Sequence, residues 1–479
     1  MFFSSIDNFN DIALIESTGK INTYLDLQQN VSDFSTFFTE KHLIFIIGEN
    51  DLSTIVSYVS SIESGIVPLL LSPRINKNQL NNLIITYKPK YIFQKKKLNQ
   101  YRDYNLVTKY KSYSLFVKEK SEVIRLHPDL ALLLTTSGST GSPKLVRLTK
   151  KNIISNAKSI SKYLKITSDD RAITSLPFNY SYGLSVINSH LISGGSLVLS
   201  NSSMMEGDFW RLITKHAVTS LSGVPYNYEM MIRLGVDRLQ ISSIKKMTQA
   251  GGRLEINKIK EINKALHVNK IKFYIMYGQT EATARISYLS PEDINNKPGS
   301  IGKAIPNGKL WIENKDGELI DQVNSVGELI YSGNNVSMGY ANSINDLELG
   351  DVNKGVLRTG DLAKFDSEGF FYIEGSTNRF IKIYGNRISL DSLEKIIFDK
   401  GFESAAIGSE NKLVIYVIHN KKLSTDLLKV DISEVIGINQ TAIQINVVSD
   451  FPRLDNGKIN YKVIKNIKWK IYQQLQLLI

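Results

Sequence analysis

The chain contains no cysteine, which excludes disulfides, thiolate metal sites and a cysteine nucleophile together and fits a reducing compartment. Histidine is scarce as well. The six present, His42, His127, His190, His216, His267 and His419, include no two at the spacing of ligands on a helix face, so each reads as a packed or solvated residue, and any metal must be held by oxygen or histidine. No apolar run reaches the roughly 20 residues needed to cross a bilayer. The opening stretch has no basic residue before Lys20 and so lacks the charged segment of a signal peptide. The expectation is a cytoplasmic protein without a transmembrane segment. Acidic residues fall short of basic ones, 46 against 58, for a net charge of +12. The lysines are nevertheless spread along the chain and mixed with acids, with only short clusters such as Lys95-Lys96-Lys97. That diffuse surplus points to no nucleic-acid partner, while leaving room for local attraction of an anionic substrate.

What is present is a long chain, 479 residues with 42% hydrophobic side chains, enough for a large core and more than one domain. Apolar strand-like runs alternate with helical stretches. Leu43 to Ile47, then Ile55, Val59 and Ile62 at helical spacing, then Val67 to Leu71 make one such unit; Ala172 to Leu176 and Ser196 to Leu199 bracket a second; a third ends at Phe273 to Met276. This is the rhythm of a layered α/β protein, in which ligands gather at strand ends. After Pro298 short strands separated by glycine turns predict a small, largely antiparallel sheet. Near Gly375 the texture changes again, to a hairpin, a helix from Asp391 and short strands, which places a domain boundary between 1–375 and 376–479. Ile464, Ile467, Ile471, Leu475 and Leu478 share one face of a closing helix.

Four segments carry polar chemistry. Thr136-Ser137-Gly138-Ser139-Thr140-Gly141-Ser142-Pro143-Lys144 packs hydroxyls, glycines and one cation between two apolar runs. Glycine lets backbone N–H groups approach an anion, the hydroxyls add donors and the lysine adds mobile charge, so the loop suits a polyphosphate and reads as a tight connection between two strands at a sheet edge. It is not a Walker loop, whose glycine spacing and following helix differ; taken alone, it would equally serve as a flexible linker. Tyr277-Gly278-Gln279-Thr280-Glu281 follows directly on an apolar strand, where Glu281 would hold Mg²⁺ and Thr280 would reach a phosphate. Thr359-Gly360-Asp361 offers a turn with a carboxylate suited to two ribose hydroxyls, or simply an aspartate closing a turn. Pro452 to Lys458 ends in a glycine turn that carries one lysine outward.

In this order the segments resemble the superfamily of adenylate-forming enzymes: acyl- and aryl-CoA synthetases, luciferases and the adenylation domains of peptide synthetases. The resemblance spans nearly the whole chain, from Leu43-Ile44-Phe45-Ile46-Ile47-Gly48 to Gly457-Lys458. It implies an α/β fold with a large N-terminal domain of layered α/β subdomains plus a small β-barrel-like part, followed by a small mobile α+β C-terminal domain. It implies ATP and Mg²⁺ as cofactors, a small carboxylic acid as substrate, and CoA or a phosphopantetheine-bearing acyl-carrier protein as acceptor. By the same resemblance Thr136, Ser137, Gly138, Ser139, Thr140, Gly141 and Lys144 grip the β- and γ-phosphates, and Tyr277 lies against adenine. Gly251 and Gly252 border the adenine and acyl pockets, Gly278 binds the substrate together with Asn179 and Tyr180, and Asp361 holds the ribose. Thr280 contacts the α-phosphate, Glu281 binds the metal and Lys458 neutralises charge at the reacting carboxylate. Arg387, with Lys382 and Gly385, reaches the site when the small domain rotates about a hinge at Asn378.

The match departs from the family pattern in places. Ser376 stands where arginine is common, Leu145 where glycine is usual and Lys150 where histidine is frequent. Asn179, beside Tyr180 in the segment that lines the acyl pocket, stands where amino-acid-activating relatives place an aspartate against the substrate ammonium. A neutral amide cannot replace that charge, so the substrate is expected to lack a free α-amino group, as a short or hydroxylated acyl or aryl acid would. Too few residues follow Lys458 for a fused carrier domain, and any carrier is expected to be a separate chain. Three readings stay open: an acyl- or aryl-CoA ligase, a stand-alone adenylation enzyme serving a carrier or an amine, and a nucleotide-binding homologue without catalysis. The presence of Glu281 and Lys458 favours an enzyme.

Overall fold

The computed structural model describes residues 2, 6–95, 103–119, 123–135, 144–236, 239, 241–376, 379–383, 386–409, 412–419, 423–436, 438–454 and 457–465. The chain forms two compact units. The first contains residues 1–298, 302–310 and 331–357, and the second residues 299–301, 311–330 and 358–479.

Two sheets organise the first unit. In the larger, Lys272–Tyr277, Lys246–Gln249, Ser220–Gly223, Arg171–Ile173, Ser196–Val198 and Ile12–Ile15 run parallel in that order, with antiparallel strands added at both edges. Helices cover such a sheet because each parallel step needs a crossover. Ser181–Ile192 is buried along its whole length, as its run of small and apolar residues requires. In the second sheet the parallel centre is Leu130–Thr135, Val67–Leu71, Leu43–Ile47 and Tyr91–Gln94. The fully apolar strands Leu43–Ile47 and Val67–Leu71 are buried at every position.

Leu130–Thr135 and Leu145–Thr149 pair antiparallel, Thr135 opposite Leu145, so the strands flanking the Ser/Thr/Gly loop form the expected hairpin. The hairpin does not form the sheet edge. A two-residue strand, Tyr340–Ala341, adds outside it with Tyr340 opposite Val146. A strand this short carries no periodic signal, which is why it is invisible in the sequence.

In the second unit Val356–Phe365 pairs antiparallel with Phe371–Ser376. Beyond them come the hairpin Phe380–Ile383 and Asn386–Ser389, the helix Leu390–Asp399, and a three-stranded sheet of Ser404–Ser409, Lys412–Ile418 and Ile443–Val448. Leu393, Ile397, Ile415, Val417 and Ile432 lie in its core. Ile464 is buried against Ile407, Val448 and Phe451; Ile467, Ile471, Leu475 and Leu478 lie outside the described residues.

Candidate active site

Three loops leave the carboxyl ends of the parallel strands Arg171–Ile173, Lys246–Gln249 and Lys272–Tyr277. They carry Asn179 and Tyr180, Gly251 and Gly252, and Gly278 to Glu281. Such strand ends are where open α/β sheets bind ligands.

Close approach fixes the glycines. Gly251 has φ +84°, and a Cβ there would lie 2.5 Å from the Tyr180 hydroxyl. A side chain at Gly278 would collide with the carbonyl oxygen of Ala284. The Thr280 hydroxyl donates to Ser181 Oγ at 3.2 Å, tying this turn to the first residue of the buried helix. Gln279 Nε2 donates to the Tyr277 hydroxyl at 3.2 Å.

Immediately beyond Glu281 the backbone takes an uncommon path. Thr283 has φ +64° and ψ −58°, and Ala284 N donates to Ala282 O at 2.7 Å, a tight three-residue turn that is strained for a β-branched side chain. Asn335 holds it in place. Its Nδ2 donates to Ala282 O at 2.8 Å and Arg285 O at 2.9 Å, while Thr283 Oγ1 donates to Asn335 O at 2.8 Å.

Glu281 is therefore well anchored. Ser337 N donates to its main-chain oxygen at 2.8 Å, and the Tyr340 hydroxyl donates to its carboxylate at 2.8 Å. The ammonium of Lys144 lies 3.4 Å from the centre of the Tyr340 ring. Burial, with the Glu281 carboxylate beside it, holds the Tyr340 hydroxyl pKa well above the usual tyrosine value, so it remains a donor. Cation, ring and carboxylate thus form one continuous contact from the second sheet to the first. Among the described residues there is no cluster of three or more acidic or histidine ligands. One anchored carboxylate with an oxygen to spare fits Mg²⁺, which commonly takes one or two carboxylates and completes its shell with phosphate oxygens and water.

The second unit holds Asp361, Arg387 and Lys458. Asp361 sits opposite Ser376 next to a bulge, its N–H donating to Thr359 Oγ1 at 3.1 Å. Ser376, in the place of the customary arginine, donates its hydroxyl to Gly360 O at 3.1 Å. Arg387 pairs through its backbone with Lys382 in the hairpin. Lys458 is exposed at the end of a turn in which Gly457 has φ +78° and Leu454 N donates to Lys458 O at 2.8 Å. Thr136, Ser137, Gly138, Ser139, Thr140, Gly141 and Asn378 lie outside the described residues.

Tyr340, Ser181 and Asn335 escaped the sequence reading. Only the glycine before Tyr340, at φ +107°, marks its place in advance.

A profile of the AMP-binding enzyme family matches residues 5–341. The 2-succinylbenzoate–CoA ligase of Oceanobacillus iheyensis is 24% identical over 92% of this chain and 93% of its own length. Gramicidin S synthase 2 of Brevibacillus brevis is 25% identical over 95% of this chain, which spans 11% of that much longer protein. The o-succinylbenzoate CoA synthetase of Bacillus subtilis, solved with AMP, superposes with a TM-score of 0.77 at 23% identity, covering 95% of this chain and 96% of that one; the same synthetase has been solved with ATP and magnesium ion.

Proposed function

We infer the chemistry of this site from one premise: the chain belongs to the AMP-binding enzyme family. With named CoA ligases among its relatives, it is an AMP-forming acid–thiol ligase. We propose that it joins a small carboxylic acid to the α-phosphate of ATP, releases pyrophosphate, and passes the acyl group to the thiol of CoA. The observation that carries this reading is the anchored Glu281 carboxylate beside Thr280, Tyr277 and the Lys144–Tyr340 contact, at the carboxyl end of the strand Lys272–Tyr277.

The obstacle to the first step is electrostatic. A carboxylate oxygen must bond to a phosphorus already surrounded by negative oxygens, while the bond to the β-phosphate oxygen breaks and pyrophosphate leaves. Bound at Glu281, Mg²⁺ would supply positive charge for the phosphates. Thr280 would donate to the α-phosphate, Lys144 and the loop 136–143 would hold the β- and γ-phosphates, Tyr277 would lie against adenine with Gly251, Gly252 and Gly278 leaving room, and Asp361 would accept from the ribose hydroxyls. Lys458 would sit between the two anions as the new bond forms. In the second step the thiol sulfur attacks the acyl carbon, loses its proton and releases AMP. A lysine occupying the nucleophile's approach would block it, so we propose that residues 376–479 move about Asn378 between steps and bring Arg387 forward.

The acceptor thiol can instead belong to a separate carrier protein, the alternative that the family resemblance of the sequence leaves open. The cysteine-free composition suits work in the cytoplasm, and among the described residues no helix is long and apolar enough to cross a membrane. The deciding experiment is a pyrophosphate-release screen over carboxylic acids with hydroxylamine as surrogate acceptor, followed by CoA and carrier proteins as competitors. Activation of no acid at all would overturn the reading.

Tyr340→Phe tests the anchoring of Glu281. It removes one hydrogen bond to a charged group, worth about 1.5–3 kcal/mol, and keeps the ring beneath Lys144. The KM for MgATP should rise by about tenfold or more while the KM for the acid stays put; equal effects on both would remove Tyr340 from the nucleotide site.

A further inference from the structure

Among the described residues of the first unit, three lysine or arginine side chains are buried: Arg147, Lys246 and Arg285. Two are met by oxygen. Arg147 donates to the carbonyls of Met338, Tyr340, Leu349 and Gly350. Lys246 pairs with Asp170 at 3.0 Å and donates to Leu164 O at 3.0 Å.

Arg285 is different. It is 3% exposed, its guanidinium lies 3.8 Å from the centre of the Tyr182 ring, and its Nε donates to Met276 Sδ at 3.4 Å. Tyr163 stands beside it, its hydroxyl donating to the same sulfur at 3.0 Å and its oxygen within hydrogen-bonding reach of the guanidinium, a neutral partner rather than an anion. Among the described residues no carboxylate forms an ion pair with Arg285. A thioether is a weak acceptor, and a cation over a ring recovers only part of what desolvation takes. Burying a charge costs several kcal/mol, so these contacts leave the guanidinium undercompensated. Its place is nonetheless built: Asn156 and Asn335 both donate to the Arg285 carbonyl, at 3.2 and 2.9 Å.

Its neighbours belong to the segment that the family resemblance assigns to the acyl pocket. Tyr182 lies three positions beyond Asn179 in the segment that carries Tyr180, and the hydroxyl of Tyr180 closes on Gly251. Asn179 Oδ1 is buried with no hydrogen-bond partner among the described residues, a polar group that calls for one.

We propose that the acid activated by this enzyme carries a second anionic group, a carboxylate or a sulfonate, and that Arg285 receives it. The inference rests on the ligase reading and narrows its substrate class. An anion docked on a desolvated guanidinium gains a charge-assisted, bidentate contact, and the far carboxylate is then the one left to react.

The test pairs each dicarboxylic or sulfo-carboxylic acid with an uncharged analogue of the same length, such as its monomethyl ester, in the pyrophosphate-release assay. The wild-type enzyme should favour the dianionic member by about 100-fold in kcat/KM. Arg285→Met, which keeps the stem against Tyr182, should erase that preference with the KM for ATP unchanged, and Arg285→Lys should restore part of it. Equal handling of both members by the wild-type enzyme overturns the proposal, as does equal loss of both in Arg285→Met. Preference for carboxylate or for sulfonate pairs identifies the anion. Should Arg285→Met fail to fold, the wild-type preference and the lysine variant decide. Should no acid release pyrophosphate, the ligase reading falls, and the anion site is judged by melting temperature: diacids without ATP should raise it in the wild type, their esters should not, and absence of any shift ends the proposal.

Discussion

Lys458→Ala is expected to lower acid-dependent pyrophosphate release by about 100-fold or more while leaving transfer from a preformed acyl-adenylate to the thiol close to wild type. The size follows from removing one charge aimed at the transition state, worth on the order of 3 kcal/mol. The asymmetry follows from the chemistry. Only the first step brings two anions together; the second joins a thiol to an activated carbonyl. Lys458 is exposed at the end of a glycine turn, so truncating its side chain should change stability little, and lost activity can be read as lost function. Both half-reactions are measurable on one preparation, by pyrophosphate release and by AMP release from synthetic acyl-adenylate. A parallel fall in the two would remove Lys458 from its proposed role.

Glu281→Gln should cost about 10²–10³ in kcat for the same first step, with a changed response to magnesium as its signature. The amide keeps the shape of the carboxylate and an oxygen for the Tyr340 hydroxyl, which donates to Glu281 at 2.8 Å. What it removes is negative charge. The magnesium concentration for half-maximal activity should therefore rise, and Mn²⁺ binding in the presence of ATP, followed by electron paramagnetic resonance, should weaken. Were the metal dependence to match the wild type despite lower activity, Glu281 would be a structural residue, and the strained turn at Thr283 its reason for being held so firmly.

The sequence made the layered architecture legible because local patterns determine it. Leu43–Ile47 and Val67–Leu71 are apolar throughout and buried throughout, and the helix Leu52–Glu63 between them, recognised by Ile55, Val59 and Ile62, is buried on all sides from Leu52 to Ile62. The turn Tyr277 to Glu281 could be placed because it follows a strand, whereas Thr359 to Asp361, read from the sequence as a turn, lies inside the strand Val356–Phe365, where Asp361 pairs with Ser376. Contacts made by pairing distant segments left no such trace. Tyr340 meets Glu281 and Lys144 because a two-residue strand docks on Leu145–Thr149, and nothing in its neighbourhood announces that partner. Arg285, four positions after Glu281, looks like an ordinary surface arginine until Tyr182, Met276 and Tyr163 close around it.

On the role proposed for Lys144 at the β- and γ-phosphates, its place on the Tyr340 ring bears on how the enzyme would tell nucleotides from the salts around them. A lysine already stacked on an aromatic face gives up about 1 kcal/mol or more to leave it. Chloride, or a lone orthophosphate held by few donors, offers little in return, whereas a triphosphate engaging a whole loop offers several contacts at once. On that proposed role the tyrosine ring would act as a threshold, keeping the cation occupied until a ligand able to outcompete it arrives.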